Sequence, residues 1–285
     1  MTRVYGVLGY PVSHSLSPIM HQAAFEARGL DALYTPFEVP PRDLGAVLRG
    51  LHAAGIDGLN VTIPHKERIV RALGRRAVVD PVAKAVGAVN TLVRTANGFA
   101  CHNTDVVGFR QVLAKELRVD CRGKRILLLG AGGAAKAVAW VLVHARPARI
   151  SVANRTKSRA DALRRWMQRH APGVRVEIVP FERRALGRAV QEAELLVNTT
   201  SLGLRKSDPL PVEASALRKG MAVADLVYRS PTTALVRAAR RRGALAVDGL
   251  PMLVYQGAES FRLWWGRPAP VEAMRRAVER AAKGV

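Results

Sequence analysis

The run ILLLGAGGAA, from Ile126 to Ala135, decides how this chain is read. Four apolar residues, Ile126 to Leu129, lead straight into Gly130, Gly132 and Gly133, and a helical pattern follows from Ala134 through Val138, Trp140, Val141 and Leu142. Strand, tight glycine turn and helix in that order turn backbone N–H groups and a helix N-terminus towards a pyrophosphate. In this reading Gly130 permits the turn, Gly132 lets phosphates approach the backbone, and Ala135 permits close helix–strand packing. The pattern is GxGxxA, the alanine form of the dinucleotide fingerprint, with Gly130, Ala131, Gly132, Gly133 and Ala134 facing the ligand. A glycine turn after a buried strand also occurs without any ligand, so the flanking sequence has to decide.

Downstream, strand patterns recur at 149–154, 174–180, 194–198 and 222–225, with helices between most of them. That alternation predicts a doubly wound, Rossmann-type α/β domain whose ligands lie outside the carboxyl ends of its strands. Upstream, strands at 4–9, 33–39 and 58–63 alternate with helices at 18–28, 42–54 and 67–73, which predicts a second α/β layer with a mainly parallel sheet. Residues 88–94 and 99–102 read as a hairpin around Ala96-Asn97-Gly98, and a helix at 105–117 follows. Two amphipathic helices, at 252–264 and 271–282, are expected to pack back on the first domain. The expected division is 1–105, completed by 250–285, and 106–249.

The 285 residues suffice for two such domains and for burying roughly three quarters of the unfolded surface. Two cysteines, Cys101 and Cys121, have neither zinc-ligand spacing nor a disulfide framework, so no metal is expected and a reducing compartment suits the chain. No apolar run reaches the ~18–20 residues that span a bilayer, and the first residues lack a signal-peptide layout; a soluble cytoplasmic protein with no membrane partner is expected. Lys and Arg total 45 against 22 Asp and Glu, a net charge of +23. The cations are scattered along helices, and aromatics, at 5%, do not interleave with them, so no nucleic-acid partner is expected. The positive field would still draw anionic substrates and cofactors.

An NAD-binding unit places an acid at the end of its second strand, for the adenosine 2′-hydroxyl. Here that strand ends at Asn154, followed by Arg155-Thr156-Lys157-Ser158-Arg159, with no carboxylate. Arg155, Arg159 and Lys157 offer charge to a 2′-phosphate and Thr156 a hydroxyl, so the cofactor read from the residues is NADP. The alternative is a set of ordinary loop cations in a very basic protein, which leaves the missing acid unexplained.

Three polar clusters end the upstream strands. Ser15 and Ser17 lie in GYPVSHSLSP, where Ser17 could cap a helix with Pro18 at its first position. Asn60, Thr62 and Lys66 lie in NVTIPHK, and Asn90-Thr91 is followed by Asn103-Thr104-Asp105. Amides and hydroxyls crowded beside one Lys and one Asp suit a polyhydroxylated ligand bearing a carboxylate.

These motifs, in this order, resemble those of the shikimate dehydrogenase family from end to end: SxSP at 15–18, NVTIPHK at 60–66, AVNT at 88–91, NTD at 103–105, GAGGAA, NRTKSR, DLVY at 225–228 and DGLPMLVYQ at 248–256. The resemblance implies a reversible, NADPH-dependent reduction of 3-dehydroshikimate to shikimate, on the route to aromatic amino acids. It implies Lys66 and Asp105 as the catalytic pair. Ser15, Ser17, Asn60, Thr62, Asn90, Tyr228 and Gln256 would hold the substrate, and Leu226 and Gly249 the nicotinamide end of the cofactor. Cys101, His102, Val106 and Val107 depart from the family pattern beside Asp105. His14, His65, Cys101 and His102 are read as packing groups. Two rivals are an NAD-using quinate/shikimate dehydrogenase and, from another class, a non-catalytic NADP- or nucleic-acid-binding protein. The oligomeric state stays open, a homodimer included.

Overall fold

The structure is a computed structural model, and it describes residues 1–283 apart from 206 and 229–231. The chain divides into two units: Met1–Gly108, joined by the segment that begins at Leu253, and Phe109–Met252.

The first unit runs β1 (Arg3–Gly9), α1 (Ser17–Ala27), β2 (Ala32–Glu38), α2 (Leu44–Ala53), β3 (Gly58–Val61), α3 (Ile69–Leu73), β4 (Ala77–Val79), α4 (Pro81–Val86), β5 (Thr91–Thr95), β6 (Gly98–His102) and α5 (Asp105–Gln111). Its six strands are ordered β2-β1-β3-β5-β6-β4. All are parallel except β5, which runs against both neighbours, β3 and β6. The reversal follows from the two-residue connection Ala96-Asn97, which pairs Thr95 with Gly98 and leaves no room for a crossover helix. The expected hairpin is present, although its first strand begins at Thr91 rather than 88. Two elements carry no periodic signal. β4 has three residues, too few to show one. The six-residue α4 is defined by its ends, with Asp80 Oδ1 accepting from Val82 N (2.8 Å) and Ala83 N (3.1 Å), and Gly87 at φ +71°.

Between the sheet and α2 and α3, Leu48, Leu59, Ile69, Leu92 and Phe99 are fully buried. Each such side chain contributes about 1.5–3 kcal/mol relative to exposure.

The second unit runs β7 (Arg125–Leu129), α6 (Gly133–His144), β8 (Arg149–Ala153), α7 (Lys157–His170), β9 (Val176–Val179), α8 (Arg183–Glu192), β10 (Leu195–Asn198), β11 (Ala222–Asp225), α9 (Ala234–Arg241) and β12 (Leu245–Val247). The sheet is ordered β12-β11-β10-β7-β8-β9 and every pair is parallel. The continuous apolar runs of β7, β10 and β11 follow from burial on both faces. The chain winds outward from β7 to β9 and then outward again from β10 to β12. The switch point therefore lies between the ends of β7 and β10, where a ligand crevice belongs. β12 escapes the sequence pattern because it is three residues long and follows the Arg-rich α9. The helix expected at 105–117 is α-helical only to Gln111 and continues to Leu117 with i→i+5 bonding.

α10 (Leu250–Trp265) and α11 (Val271–Lys283) end the chain, and α11 packs on α1 in the first unit. α10 is fastened to the same unit's sheet by Trp264, whose Nε1 donates to Leu92 O (3.0 Å) and whose ring lies 4.8 Å from that of Tyr5. Among the described residues no helix is long and apolar enough to cross a membrane.

Candidate active site

At the carboxyl end of the first sheet, β1 and β3 run side by side into Tyr10–Pro11 and Ile63–Pro64, both cis peptides. Tyr10 N donates to Ile63 O (3.0 Å) and ties the two turns together. Gly9 must be glycine here, because a Cβ would stand 2.5 Å from Thr62 Cγ2. The turn after β3 brings up Lys66, and α5 opens on Asp105. Lys66 Nζ donates to Asp105 Oδ2 at 2.7 Å, with the lysine side chain 20% exposed and the aspartate 8%. Asn103 sets the start of α5, accepting from Val106 N through Oδ1 and donating through Nδ2 to Ala88 O (2.9 Å).

Asp105 is held from its other side. Asn90 Nδ2 donates to Asp105 Oδ1 (2.9 Å) and lies within reach of Thr104 Oγ1 and Gln256 Oε1. The orientation of the Asn90 amide is dictated by a backbone donor, Thr104 N, which can only give its hydrogen to Oδ1 (2.7 Å). Behind it, Asn60 is enclosed: Oδ1 accepts from Tyr34 OH (2.8 Å), and Nδ2 donates among Ser260 Oγ, Thr91 Oγ1 and Asn90 O. Lys66, Asp105, Asn90, Asn60 and Gln256, all singled out in the sequence, thus share one hydrogen-bonded cluster. Thr104, named in that polar cluster without a role, joins it too, as do Tyr34 and Ser260, which were not singled out. Thr104 was visible inside the NTD motif, whereas Tyr34 and Ser260 sit in amphipathic patterns that read as ordinary core.

Ser17 does not cap its helix. The N-cap position is Leu16, Ser17 is the first helical residue, and its side chain is buried against the Tyr34 hydroxyl. Ser15 takes the capping part instead, its Oγ accepting from Ser17 N (3.3 Å). Thr62 is half-buried at the same edge. His65 is buried, with Nε2 against Val39 O (2.8 Å), and desolvation holds its pKa below the usual value. Burial likewise lowers His102, against the opposing pull of Asp80 4.0 Å away. Cys101 is a core residue whose thiol is pushed up to about 12 by burial.

In the second unit, Gly130 stands at φ +103°, a backbone state that side chains disfavour, and a Cβ there would meet Thr199 Oγ1 at 2.4 Å. Thr199 belongs to the neighbouring strand end and donates through Oγ1 to Leu129 O. Gly132 precedes α6 with open space where a side chain would be, Ala131, Gly133 and Ala134 are half-buried beside it, and Ala135 is buried against the sheet. The first-turn N–H groups of a helix have no intrahelical acceptor, so this turn can receive an anion. After β8, Asn154 Nδ2 donates to Thr156 O (2.8 Å), shaping a turn from which Arg155, Thr156, Lys157 and Arg159 project exposed at the start of α7. Among the described residues, these three cations make no ion pair. Open glycine turn and unpaired cations together fit a dinucleotide carrying a 2′-phosphate.

The ends of β10 and β11 are joined by Asn198 Nδ2 donating to Asp225 Oδ1 (2.8 Å), which also accepts from Val227 N (3.2 Å). Leu226 N donates to Asn198 O, and Gly249 packs so closely under Leu226 that a Cβ would lie 2.3 Å from its carbonyl oxygen. Tyr228 follows, half-buried. Asp225 is 1% exposed, and among the described residues its Oδ2 has no well-formed hydrogen bond, the Thr233 hydroxyl being its neighbour. Desolvation raises its pKa to about 6 from an ordinary 3.8. The folded chain therefore holds this proton more tightly than the unfolded chain does. The associated stability is complete below about pH 4, declines as pH rises through the folded value of about 6 and is gone above it, at most about 3 kcal/mol. In denaturant titrations at pH 4.5 and 7.5, Asp225→Asn should gain on wild type at the higher pH; an unchanged difference between the two proteins would contradict this.

A doubly wound sheet with a phosphate-type glycine turn in one unit, and a Lys–Asp pair in the other, fit the class of nucleotide-dependent oxidoreductases. Comparison with known proteins makes the assignment specific. Family profiles match residues 7–92 (shikimate dehydrogenase substrate binding domain), 112–206 (shikimate/quinate 5-dehydrogenase) and 249–279 (shikimate 5′-dehydrogenase C-terminal domain). The shikimate dehydrogenase (NADP(+)) of Rubrobacter xylanophilus is 48% identical over 97% of this chain and 95% of its own. A crystal structure of shikimate dehydrogenase in complex with NADP+ superposes with a TM-score of 0.89 at 36% identity, covering 99% of this chain and 96% of that one. The Thermus thermophilus enzyme, in complex with NADP(H) and shikimate, gives 0.86 at 38% identity, with 98% and 100% coverage. The chain belongs to the family of NADP-dependent shikimate dehydrogenases, and it is an oxidoreductase of the shikimate pathway.

Proposed function

We propose that Lys66 and Asp105 are the catalytic pair for the reversible reduction of 3-dehydroshikimate to shikimate. The observation that carries this reading is the 2.7 Å contact between them at the carboxyl edge of the first sheet. When bound, NADPH supplies the hydride that reaches the substrate's carbonyl carbon. As negative charge develops on the carbonyl oxygen, the Lys66 ammonium stabilises it and donates a proton, giving the hydroxyl. Asp105 fixes the direction of Nζ through Oδ2, while its Oδ1 is occupied by Asn90. Because one fifth of the Lys66 side chain meets solvent, water can return the proton. In the oxidative direction the neutral amine accepts the hydroxyl proton instead.

Ser15, Ser17, Asn60, Thr62, Asn90, Tyr228 and Gln256 are the proposed ligands of the substrate's carboxylate and hydroxyls. Asn60 reaches substrate only if it exchanges one of its present partners. The glycine turn from Gly130 to Ala134 would hold the pyrophosphate, Asn154 to Arg159 the 2′-phosphate, and Leu226 with Gly249 the nicotinamide end. On this reading residues 1–105 and 250–285 form the substrate-binding domain and 106–249 the cofactor-binding domain, with Tyr228 the one proposed substrate ligand on the latter. Steady-state kcat/KM for shikimate and quinate, each with NADP and NAD, tests it. Shikimate with NADP should be preferred by orders of magnitude, and a preference for quinate with NAD would reverse the assignment.

A further inference from the structure

Behind the Lys66–Asp105 pair lies a buried chain of hydroxyls, and its hydrogen directions can be worked out atom by atom. Ser260, on α10 and fully buried, donates its one hydrogen to Gln256 O, an atom that can only accept (3.1 Å). Towards every other neighbour Ser260 Oγ must therefore accept. Its two shortest partners, both at 2.8 Å, are Asn60 Nδ2 and Thr91 Oγ1. Thr91 thus gives its hydrogen to Ser260, nearer than its other acceptor Asn90 Oδ1 (3.3 Å), and towards Thr104 Oγ1, 3.1 Å away, it acts as acceptor. Thr104 Oγ1 has acceptors for its hydrogen in Thr91 Oγ1 (3.1 Å), Asn90 Oδ1 (3.2 Å) and Gln256 Oε1 (3.4 Å), while its backbone N–H fixes Asn90 with Nδ2 facing Asp105. Thr91, Thr104 and Ser260 are all buried, so water cannot replace a missing member without opening the core.

We propose that Ser260 is a positioning residue of the reaction: as the common acceptor for Asn60 and Thr91, it holds Thr91 in its place behind Thr104 and the Asn90 amide that faces Asp105. Its own hydrogen is consumed in the helix, which is why a serine back-bonded to the residue four before it suits this place. The role rests on Lys66 and Asp105 being the catalytic pair. Removing the hydroxyl takes away the nearest acceptor of both Asn60 and Thr91: Asn60 Nδ2 falls back on Asn90 O and Thr91 Oγ1, each 3.2 Å away, and the Thr91 hydroxyl turns to Asn90 Oδ1 (3.3 Å), which disturbs the amide.

The test is a kinetic cycle on the full-length enzyme with NADPH and 3-dehydroshikimate, using Ser260→Ala, Thr91→Val, the double variant and Ser260→Thr. Ser260→Ala should lower kcat about tenfold with KM for NADPH within about twofold, since the cofactor residues are untouched. Thr91→Val, which removes the next member of the chain at nearly constant volume, should do the same and carries the test should Ser260→Ala not fold. The double variant should be no slower than the worse single one, as expected for two groups acting through one chain. Ser260→Thr, which keeps the hydroxyl, should recover most of the rate. Wild-type kcat in both single variants, a multiplicative loss in the double, or no recovery with threonine in a folded protein would each overturn the proposal. Absence of turnover in the wild type would instead remove the catalytic reading on which it rests.

Discussion

Lys66→Ala is expected to lower kcat for reduction of 3-dehydroshikimate by about 10²–10⁴-fold, the range that a positioned acid or base contributes. The effect should be large because, among the described residues, Lys66 is the one cation bonded to Asp105, whose other side-chain partner is the neutral Asn90 amide. KM for NADPH should hardly move, since the proposed cofactor residues lie in the other unit. Stability should change modestly, because Lys66 is partly exposed and its ion pair is worth less than a fully buried one. Asp105→Asn should be milder in kcat, as the asparagine can still accept from Asn90 but no longer holds the ammonium by charge. Near-normal turnover in Lys66→Ala would remove this residue from the chemistry.

The second large effect concerns the cofactor. Arg155→Ala combined with Arg159→Ala should reduce kcat/KM with NADPH by about 10²–10⁴-fold, two charge-assisted hydrogen bonds at about 1.5–3 kcal/mol each. The same double variant should leave kcat/KM with NADH within a few-fold of wild type, because the adenosine 2′-hydroxyl carries no charge to lose. Both arginines are exposed and, among the described residues, make no ion pair, so their removal leaves no buried charge behind. A parallel fall with both cofactors would show that they support the turn rather than read the phosphate.

Much of the architecture could be read from the chain because its physics is local. A buried parallel strand must be apolar throughout, and a turn at φ +103° calls for glycine, so Ile126–Gly130 announces itself. The hairpin at Asn97-Gly98 is equally local, and its glycine answers to a close approach, since a Cβ at Gly98 would run into the Arg76 carbonyl oxygen. β4 and β12 stayed hidden because three residues hold no period, and their strand character comes only from the neighbours they pair with. The same division runs through the candidate site. Lys66, Asn90 and Asp105 stand in short polar motifs at strand ends, where unpaired polar groups are conspicuous. Ser260 and Tyr34 lie on α10 and β2 among apolar residues, and their partners are 26 to 200 positions away, so only the folded chain brings them to Asn60. Ser17 shows how local reading misleads: Ser-Pro before a helical pattern is a capping signal, yet burial against Tyr34 takes that hydroxyl elsewhere.

The central claim is that one Lys–Asp pair on the first unit carries proton transfer for an NADPH-dependent ketone reduction. The most direct measurement is NADPH oxidation by the purified chain with 3-dehydroshikimate, run beside Lys66→Ala under identical conditions. Substrate-dependent oxidation by the wild type, with the variant at about one hundredth of that rate or less, is the predicted result. No substrate-dependent oxidation by the wild type, or equal rates for the two proteins, would contradict it.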